Sequence, residues 1–277
     1  MFLNDCSPQP IRVLLLEGQS INHNNWKEVG DLLLKHLKDY YLIEMDRITS
    51  PKVNESMDGF KPDFSQYDVI VSSYDGAPWP VETDKAFVDY IKNGGGFAII
   101  HAANNSFPEW PEYNEIIGLG GWGARDSKAG PYVYYNDEGE LIRDESPGVG
   151  GAHGDAHAYV VETRTDHPIL KGLPKRWKHA KDELYEKLRG PAKNMTVLAT
   201  AYADPATKGS GRHEPALMIV EYGEGRIFHS IMGHDTHAAS CVGFLTTFIR
   251  GVEWAAGRKV KYAVPEDFPT ETEVRTR

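Results

Sequence analysis

The stretch NGGGFAIIHAANN, residues 93–105, decides the fold class of this chain. Three glycines end a helix-like segment, an apolar run follows at 97–100, and His101 stands directly behind that run. A short apolar run between turn residues predicts a buried strand. In α/β enzymes the tight turn after such a strand presents a nucleophile, which is usually Ser or Cys. Here the position holds a histidine.

Strand and helix patterns alternate on the N-terminal side of this stretch. Buried strands are predicted at 11–18, 41–48, 67–76 and 97–101, and apolar residues at helical spacing lie at 29–37 and 87–91. This alternation predicts a parallel, doubly wound sheet with helices on both faces. We expect residues 10–16, 68–72 and 97–101 in adjacent or near-adjacent inner strands, because an uninterrupted apolar strand requires cover on both sides.

The second half of the chain predicts hairpins at 132–142 and 215–234, each with glycine at its turn. Further predicted elements are strands at 158–163 and 195–202 and a closing amphipathic helix over 242–252. No internal repeat or linker interrupts these patterns. We therefore expect a single domain, with the boundaries 10–260 for the domain and 1–9 and 261–277 for its tails.

Composition excludes several classes of protein. The 277 residues carry a formal charge of −10, which argues against a nucleic-acid partner. No run of 18 apolar residues predicts a membrane span, and no basic-then-apolar N-terminus predicts a signal peptide. We expect a cytoplasmic protein, or a periplasmic one if a signal peptide was removed; a homo-oligomer stays open. Two cysteines, Cys6 and Cys241, exclude a disulfide scaffold or a cysteine-based zinc site.

Histidines concentrate where a ligand would bind. Ligands of open α/β sheets lie outside the carboxyl ends of the strands, and six of the eleven histidines stand at predicted strand ends or in adjoining loops. We expect His23, His101 and His234 to converge on one cleft. The neighbouring residues that we predict to bind substrate, together with His23, are Asn24, Trp26, Asp75, Asn104 and Asp235.

Each histidine also has a structural interpretation, and for His23, His101, His157 and His234, taken singly, it is as well supported as a functional one. His229 lies inside a strand, which predicts packing, and His179 lies in polar surroundings, which predicts exposure. The segment HGDAH, 153–157, holds two histidines and an aspartate, but Gly154 argues against a helical two-histidine metal motif. Neutral imidazole suits general acid–base work and also binds divalent metals. We predict a zinc-like ion held by His23, His157 and His234.

Five motifs occur in a characteristic order along residues 11–257: NHNNW, GGGFAIIHAANN, HPILKGLP, DELYEKL and GEGRIFHSIMGHD. Through this ordered set the chain resembles the trehalose-utilisation (ThuA-like) family. This resemblance implies an α/β fold of the class I glutamine amidotransferase type, a flavodoxin-like three-layer sandwich with a mostly parallel central sheet. In that fold the elbow presents Cys and a later strand supplies a partner His. His101 stands near the position of the Cys and His234 near that of the partner His. The resemblance therefore implies that the elbow presents an imidazole in place of a thiol.

The resemblance implies a carbohydrate substrate, such as a keto-sugar or a glycoside. The predicted catalytic residues are His101, His234 and Glu183, acting by proton transfer with or without a metal. Trp122 and Tyr185 are predicted to bind substrate, because aromatic faces stack on sugar rings. The alternative is a non-catalytic sugar-binding or regulatory module. An amidotransferase or peptidase fits least, because no Cys follows the elbow and Ser106 lies too far past it.

Overall fold

The computed structural model describes residues 9–20, 23, 25–38, 40 and 42–277. The strands are β1 (Ile11–Glu17), β2 (Ile43–Thr49), β3 (Val69–Ser72), β4 (Gly96–Ile100), β5 (Tyr132–Tyr135), β6 (Leu141–Asp144), β7 (Ala152–His153), β8 (Val160–Thr163), β9 (Arg176–Lys178), β10 (Tyr185–Glu186), β11 (Met195–Tyr202), β12 (His213–Tyr222) and β13 (Gly225–Ser230). The α-helices are α1 (Trp26–Lys38), α2 (Val81–Lys92), α3 (Pro111–Ile117), α4 (Thr236–Ala239) and α5 (Val242–Ala255).

Five parallel strands form one half of the main sheet, in the order β2-β1-β3-β4-β13. This is the flavodoxin-like strand order, with its switch point between β1 and β3. The three apolar runs predicted as inner strands are β1, β3 and β4, and they lie side by side, so that prediction is confirmed. Polar residues that follow these strands consequently meet at one edge of the sheet.

Helices cover both faces of the parallel half, because alternate strand residues point to opposite sides. On one face Val13 and Leu15 of β1 pack into a core with α1 and α5. On the other face Leu14 and Leu16 pack into a core with α2 and α3. The predicted three-layer α/β sandwich is therefore confirmed.

An antiparallel half continues the same sheet from β13 through β12, β11, β8 and β9. The predicted hairpins are confirmed as β5–β6 and β12–β13. A separate two-stranded sheet pairs β7 with β10. Its strands are too short to show an alternating pattern, and the sequence did not predict it.

The predicted C-terminal tail packs against the domain. Backbone hydrogen bonds join Val242 to Arg275, Lys178 to Thr270, and Arg277 to Ser240. Residues 261–277 therefore lie along α5 and β9 as part of the folded body. Within the described part of the chain, no helix has the length and apolar character needed to span a bilayer.

One carboxyl group is buried in the antiparallel half and should make stability depend on pH. Glu214 of β12 is buried, and Ser210 Oγ donates to its Oε1 at 2.9 Å. Burial raises the pKa of Glu214 from 4.5 to about 7. Between these two values the folded state binds more protons than the unfolded state, so the free energy of unfolding falls as pH rises and then levels off.

Glu214→Gln should remove this part of the pH dependence, because glutamine stays neutral. The difference in melting temperature, variant minus wild type, should therefore be larger at pH 8 than at pH 5, as measured by thermal melts across that range. Glu221→Gln, on the exposed side of the same strand, is the matched control and should follow the wild type. Equal slopes for Glu214→Gln and the wild type would contradict the prediction.

Candidate functional site

The turn after β4 presents His101 in a strained conformation. Its φ is +43°, in the left-handed region that a residue with a side chain adopts rarely and at a cost. A 3-10 turn over His101–Asn105 follows directly. The chain therefore has the sharp strand-to-turn geometry predicted for the elbow, with an imidazole at its apex.

A buried arginine holds this turn in place. Arg125 is 3% exposed and donates to the carbonyls of Asn105 at 3.0 Å, Ser106 at 2.7 Å and Gly121 at 2.7 Å. Its Nε also donates to Asn114 Oδ1 at 3.1 Å. Because a guanidinium satisfies several acceptors at once, one side chain fixes the backbone on the far side of the elbow.

Four side chains converge at the carboxyl edge of the parallel strands. One ligand atom each from His23, His101, Glu183 and His234 lies within 4.8 Å of all the others. His101 Nε2 is 3.1 Å from His234 Nδ1, and Glu183 Oε2 is 3.1 Å from His234 Nδ1 and 3.8 Å from His101 Nε2. The predicted convergence of His23, His101 and His234 is confirmed, and Glu183 joins them.

Hydrogen bonds behind the cluster orient two of its imidazoles. His101 Nδ1 lies 2.6 Å from the carbonyl of Ile231, which can only accept, so Nδ1 carries the proton and Nε2 presents a lone pair. His23 Nε2 lies 3.2 Å from Tyr185 Oη, while its buried Nδ1 has no hydrogen-bond partner among the described residues. Metal-binding histidines show this arrangement, with one ring nitrogen anchored and the other free.

The electrostatics of the cluster favour a carboxylate among imidazoles. Burial raises the pKa of Glu183, but the neighbouring imidazoles of His101 and His234 outweigh it and hold the pKa below its ordinary value. Burial, reinforced by His101 and His234, lowers the pKa of His23 to about 4. The hydrogen bond to Glu183 raises the pKa of His234. An ionised Glu183 beside a neutral His23 is the donor type that divalent cations bind.

A second buried carboxylate joins the two segments that carry Glu183 and His234. Asp182 Oδ1 accepts the backbone N–H of Glu183 at 2.9 Å and of His234 at 3.3 Å. Its Oδ2 accepts Gly233 N–H at 2.8 Å and His179 Nε2–H at 2.9 Å. His179 is fully buried, so the prediction that it is exposed is wrong. A polar-looking sequence, KHAKDEL, conceals this buried pair.

Four other residues that the sequence predicts to bind substrate lie around the cluster. Trp26 lines the same small cavity as His23, and Asp75 is buried near His101, with its pKa raised to about 6 by burial. Tyr185 is buried, with its ring 4.0 Å from that of His101 and 4.5 Å from that of the half-exposed Trp122. These four residues surround the cluster.

Two of the predicted residues are not brought to the cluster, and a third is not among the described residues. Asn104 is fully buried and donates to His229 Nε2 at 3.1 Å, which places it in the core and confirms the packing role of His229. Asp235 accepts Ala238 N–H as the N-cap of α4. Asn24 lies outside the described residues.

His157 also lies away from the cluster, so the predicted set His23, His157 and His234 does not assemble. Its Nδ1 donates to the carbonyl of Asp155 at 2.8 Å, and its ring lies 5.8 Å from that of Tyr159. The segment HGDAH is extended, not helical, and its other histidine, His153, turns toward the cluster, with Nε2 3.9 Å from Glu183 Oε2. His101 and Glu183, which the sequence did not assign to metal binding, lie in the cluster instead.

Comparison with known proteins gives the family. The family model described as trehalose utilisation, ThuA, matches residues 12–255. A ThuA-like protein of Parabacteroides merdae is 47% identical over 97% of this chain and 98% of its own, with a TM-score of 0.93. No curated protein matches the chain.

Two more distant structures show likeness of fold alone. A ThuA-like protein of Bacteroides uniformis is 15% identical over 91% of this chain and 95% of its own, with a TM-score of 0.53. A β-galactosidase of Bacillus circulans is 16% identical over 89% of this chain and 31% of its own, with a TM-score of 0.51. The family match, by contrast, spans nearly the whole domain, and this chain belongs to the trehalose-utilisation (ThuA) family.

Proposed function

We propose that this protein is a metal-assisted enzyme that moves a proton on a carbohydrate, with a keto-sugar or a keto-glycoside as substrate. The observation that carries the proposal is the cluster of His23, His101, Glu183 and His234, whose ligand atoms face one another. Three imidazoles and one carboxylate are a donor set suited to zinc and similar divalent ions.

The spacing of the cluster supports a cation of this type. Two ligands of a tetrahedral zinc ion, bound at about 2.0–2.1 Å, lie roughly 3.3 Å apart. The three separations among the facing atoms of His101, His234 and Glu183 are 3.1, 3.1 and 3.8 Å. Small side-chain movements would therefore bring these three ligand atoms to the spacing of one coordination shell.

The surroundings of the cluster support a sugar ligand. The family is one of trehalose utilisation, which gives the carbohydrate context. Trp122 is half-exposed beside the buried Tyr185 and offers an aromatic face of the kind that stacks on sugar rings. The side chains of Glu183 and His234 are 21% and 27% exposed, so solvent and ligand reach the centre from their side.

The chemistry follows from these residues. A divalent cation held there would act as a Lewis acid that polarises a carbonyl oxygen and makes the neighbouring C–H proton more acidic. Glu183 and the imidazoles would hold the ion, and Tyr185 would anchor His23 from behind. A ketone separated by one carbon from the glycosidic carbon could then lose the proton on the carbon between them and either isomerise or eliminate the aglycone.

Metal content is the first test. The wild type, loaded with Zn²⁺ and desalted, should retain about one ion per chain, measured by inductively coupled plasma mass spectrometry. His101→Ala and His234→Ala should lose it, because removal of a ligand should exceed the roughly 10–100-fold loss of affinity that removal of a supporting residue causes. His157→Gln is the matched control and should retain the ion. Retention in both alanine variants would contradict the proposed centre.

Turnover is the second test. The wild type, incubated with a 3-keto disaccharide in D₂O, should exchange the proton beside the carbonyl or release the second sugar, as read by NMR and mass spectrometry. His101→Asn should slow this by roughly 10²–10⁴-fold or more while the melting temperature of the metal-free protein stays near that of the wild type. Full activity of His101→Asn would contradict the proposal. Sugar binding without any turnover by the wild type would favour the binding-module alternative.

A further inference from the structure

In the proposed metal centre, no imidazole ligand is free to accept the proton that the reaction removes from carbon. A histidine that gives its lone pair to a cation cannot also accept a proton at that nitrogen. His101 Nδ1 is already protonated toward Ile231, and its Nε2 faces the cluster, as does His234 Nδ1. Resting on the proposed function, this constraint on the three imidazoles points to a base that stands beside the four ligands.

Asp182 is buried and already accepts four N–H groups, which leaves Tyr185, Asp75 and His153 to consider near the ligands. Tyr185 is buried, and its Oη lies 3.2 Å from His23 Nε2, so it is engaged in anchoring that ring. Asp75 is only 6% exposed, with no direct path to solvent. His153 is different, because its side chain is 40% exposed while its Nε2 lies 3.9 Å from Glu183 Oε2. Of these three groups, only His153 lies close to the cluster and is also exposed to water.

The hydrogen bonding of His153 prepares it to accept a proton. Its Nδ1 lies 2.8 Å from the carbonyl of Gly154, which can only accept, so Nδ1 carries the proton. The neutral ring therefore presents its Nε2 lone pair on the side of Glu183. A proton taken up at Nε2 can leave to bulk water, because the side chain is exposed.

Short strands and two glycines fix this position. His153 in β7 pairs with Tyr185 in β10, directly beside the cluster. Gly151 has a φ of +90°, and a Cβ there would meet the backbone and ring of Trp122 at 2.5 and 2.8 Å. A Cβ on Gly154 would meet the carbonyl of Thr207 at 2.2 Å. The local backbone thus requires glycine on both sides of the histidine.

We propose that His153 is the general base of this site and that Trp122 and His153 together form the wall that the sugar contacts. The ring centroids of Trp122 and His153 are 6.2 Å apart, and both side chains are at least partly exposed. His153 Nε2 takes the proton from the carbon beside the ketone: the C–H bond breaks, the N–H bond forms, and the electron pair moves to the carbonyl oxygen as an enolate.

The protonated His153 then completes either outcome. In isomerisation or exchange, a proton from His153 or from solvent returns to carbon, and the enolate collapses to the ketone. In elimination, the carbonyl re-forms, a carbon–carbon double bond forms, and the C–O bond to the aglycone breaks. The leaving oxygen takes the proton from His153. Both routes balance without an oxidant or reductant.

The test compares His153→Gln and His153→Ala with His157→Gln, the other histidine of the same segment. Each Zn²⁺-loaded protein is assayed for metal content and for exchange in D₂O of the proton beside the carbonyl of a 3-keto disaccharide. Both His153 variants should keep about one ion per chain and lose exchange by roughly 10²–10⁴-fold. Free imidazole should restore part of the exchange in His153→Ala but not in His153→Gln, where the side chain fills the space. His157→Gln should resemble the wild type.

The outcomes separate this inference from the function on which it rests. Exchange in the wild type and equally fast exchange in both His153 variants would overturn the role of His153 and leave the proposed function standing. Loss of the bound ion from His153→Gln would make His153 a metal ligand, which also overturns it. A wild type that binds its ion but shows neither exchange nor turnover would overturn the proposed function, and the base with it.

Discussion

The carboxylate of Asp182 is the interaction on which the arrangement of the site depends. It is buried, and it accepts four N–H groups, from His179, Glu183, Gly233 and His234. Two of these donors belong to the residues that face each other across the cluster. A buried charge with this many donors is stable only in one geometry, and removal of one partner leaves an uncompensated charge. The separation of Glu183 from His234 is therefore set behind the site, by Asp182.

The parallel half of the fold could be predicted because its signals are local. β3 and β4 are short apolar runs, β1 is apolar from Val13 to Leu16, and turn residues follow each of them. Once these strands are placed side by side, chain direction alone brings His23 and His101 to one edge, and His234 follows β13 to the same edge. Their convergence followed from topology without any knowledge of side-chain contacts, whereas their chemical roles stay predictions.

The remainder of the site depends on contacts between distant parts of the chain, and no local pattern encodes them. Glu183 was predicted as catalytic from family resemblance, but Asp182 and His179 beside it look like an exposed polar segment. Arg125 fixes the elbow from a region without a recognisable motif. His153 and His157 look equivalent in sequence, and only the extended backbone around Gly154 turns one toward the cluster and the other away.

The cluster draws its ligands from both halves of the sheet. His23, His101 and His234 follow parallel strands, whereas Glu183 comes from the loop before β10, beyond β9 at the antiparallel end. An ion bound by all four side chains would add a link between the parallel and the antiparallel half. Binding of the ion would raise the free energy of unfolding, and this gain would grow with the logarithm of the free ion concentration once the site is filled. Removal of the ion by chelation would therefore lower the free energy of unfolding by the same amount.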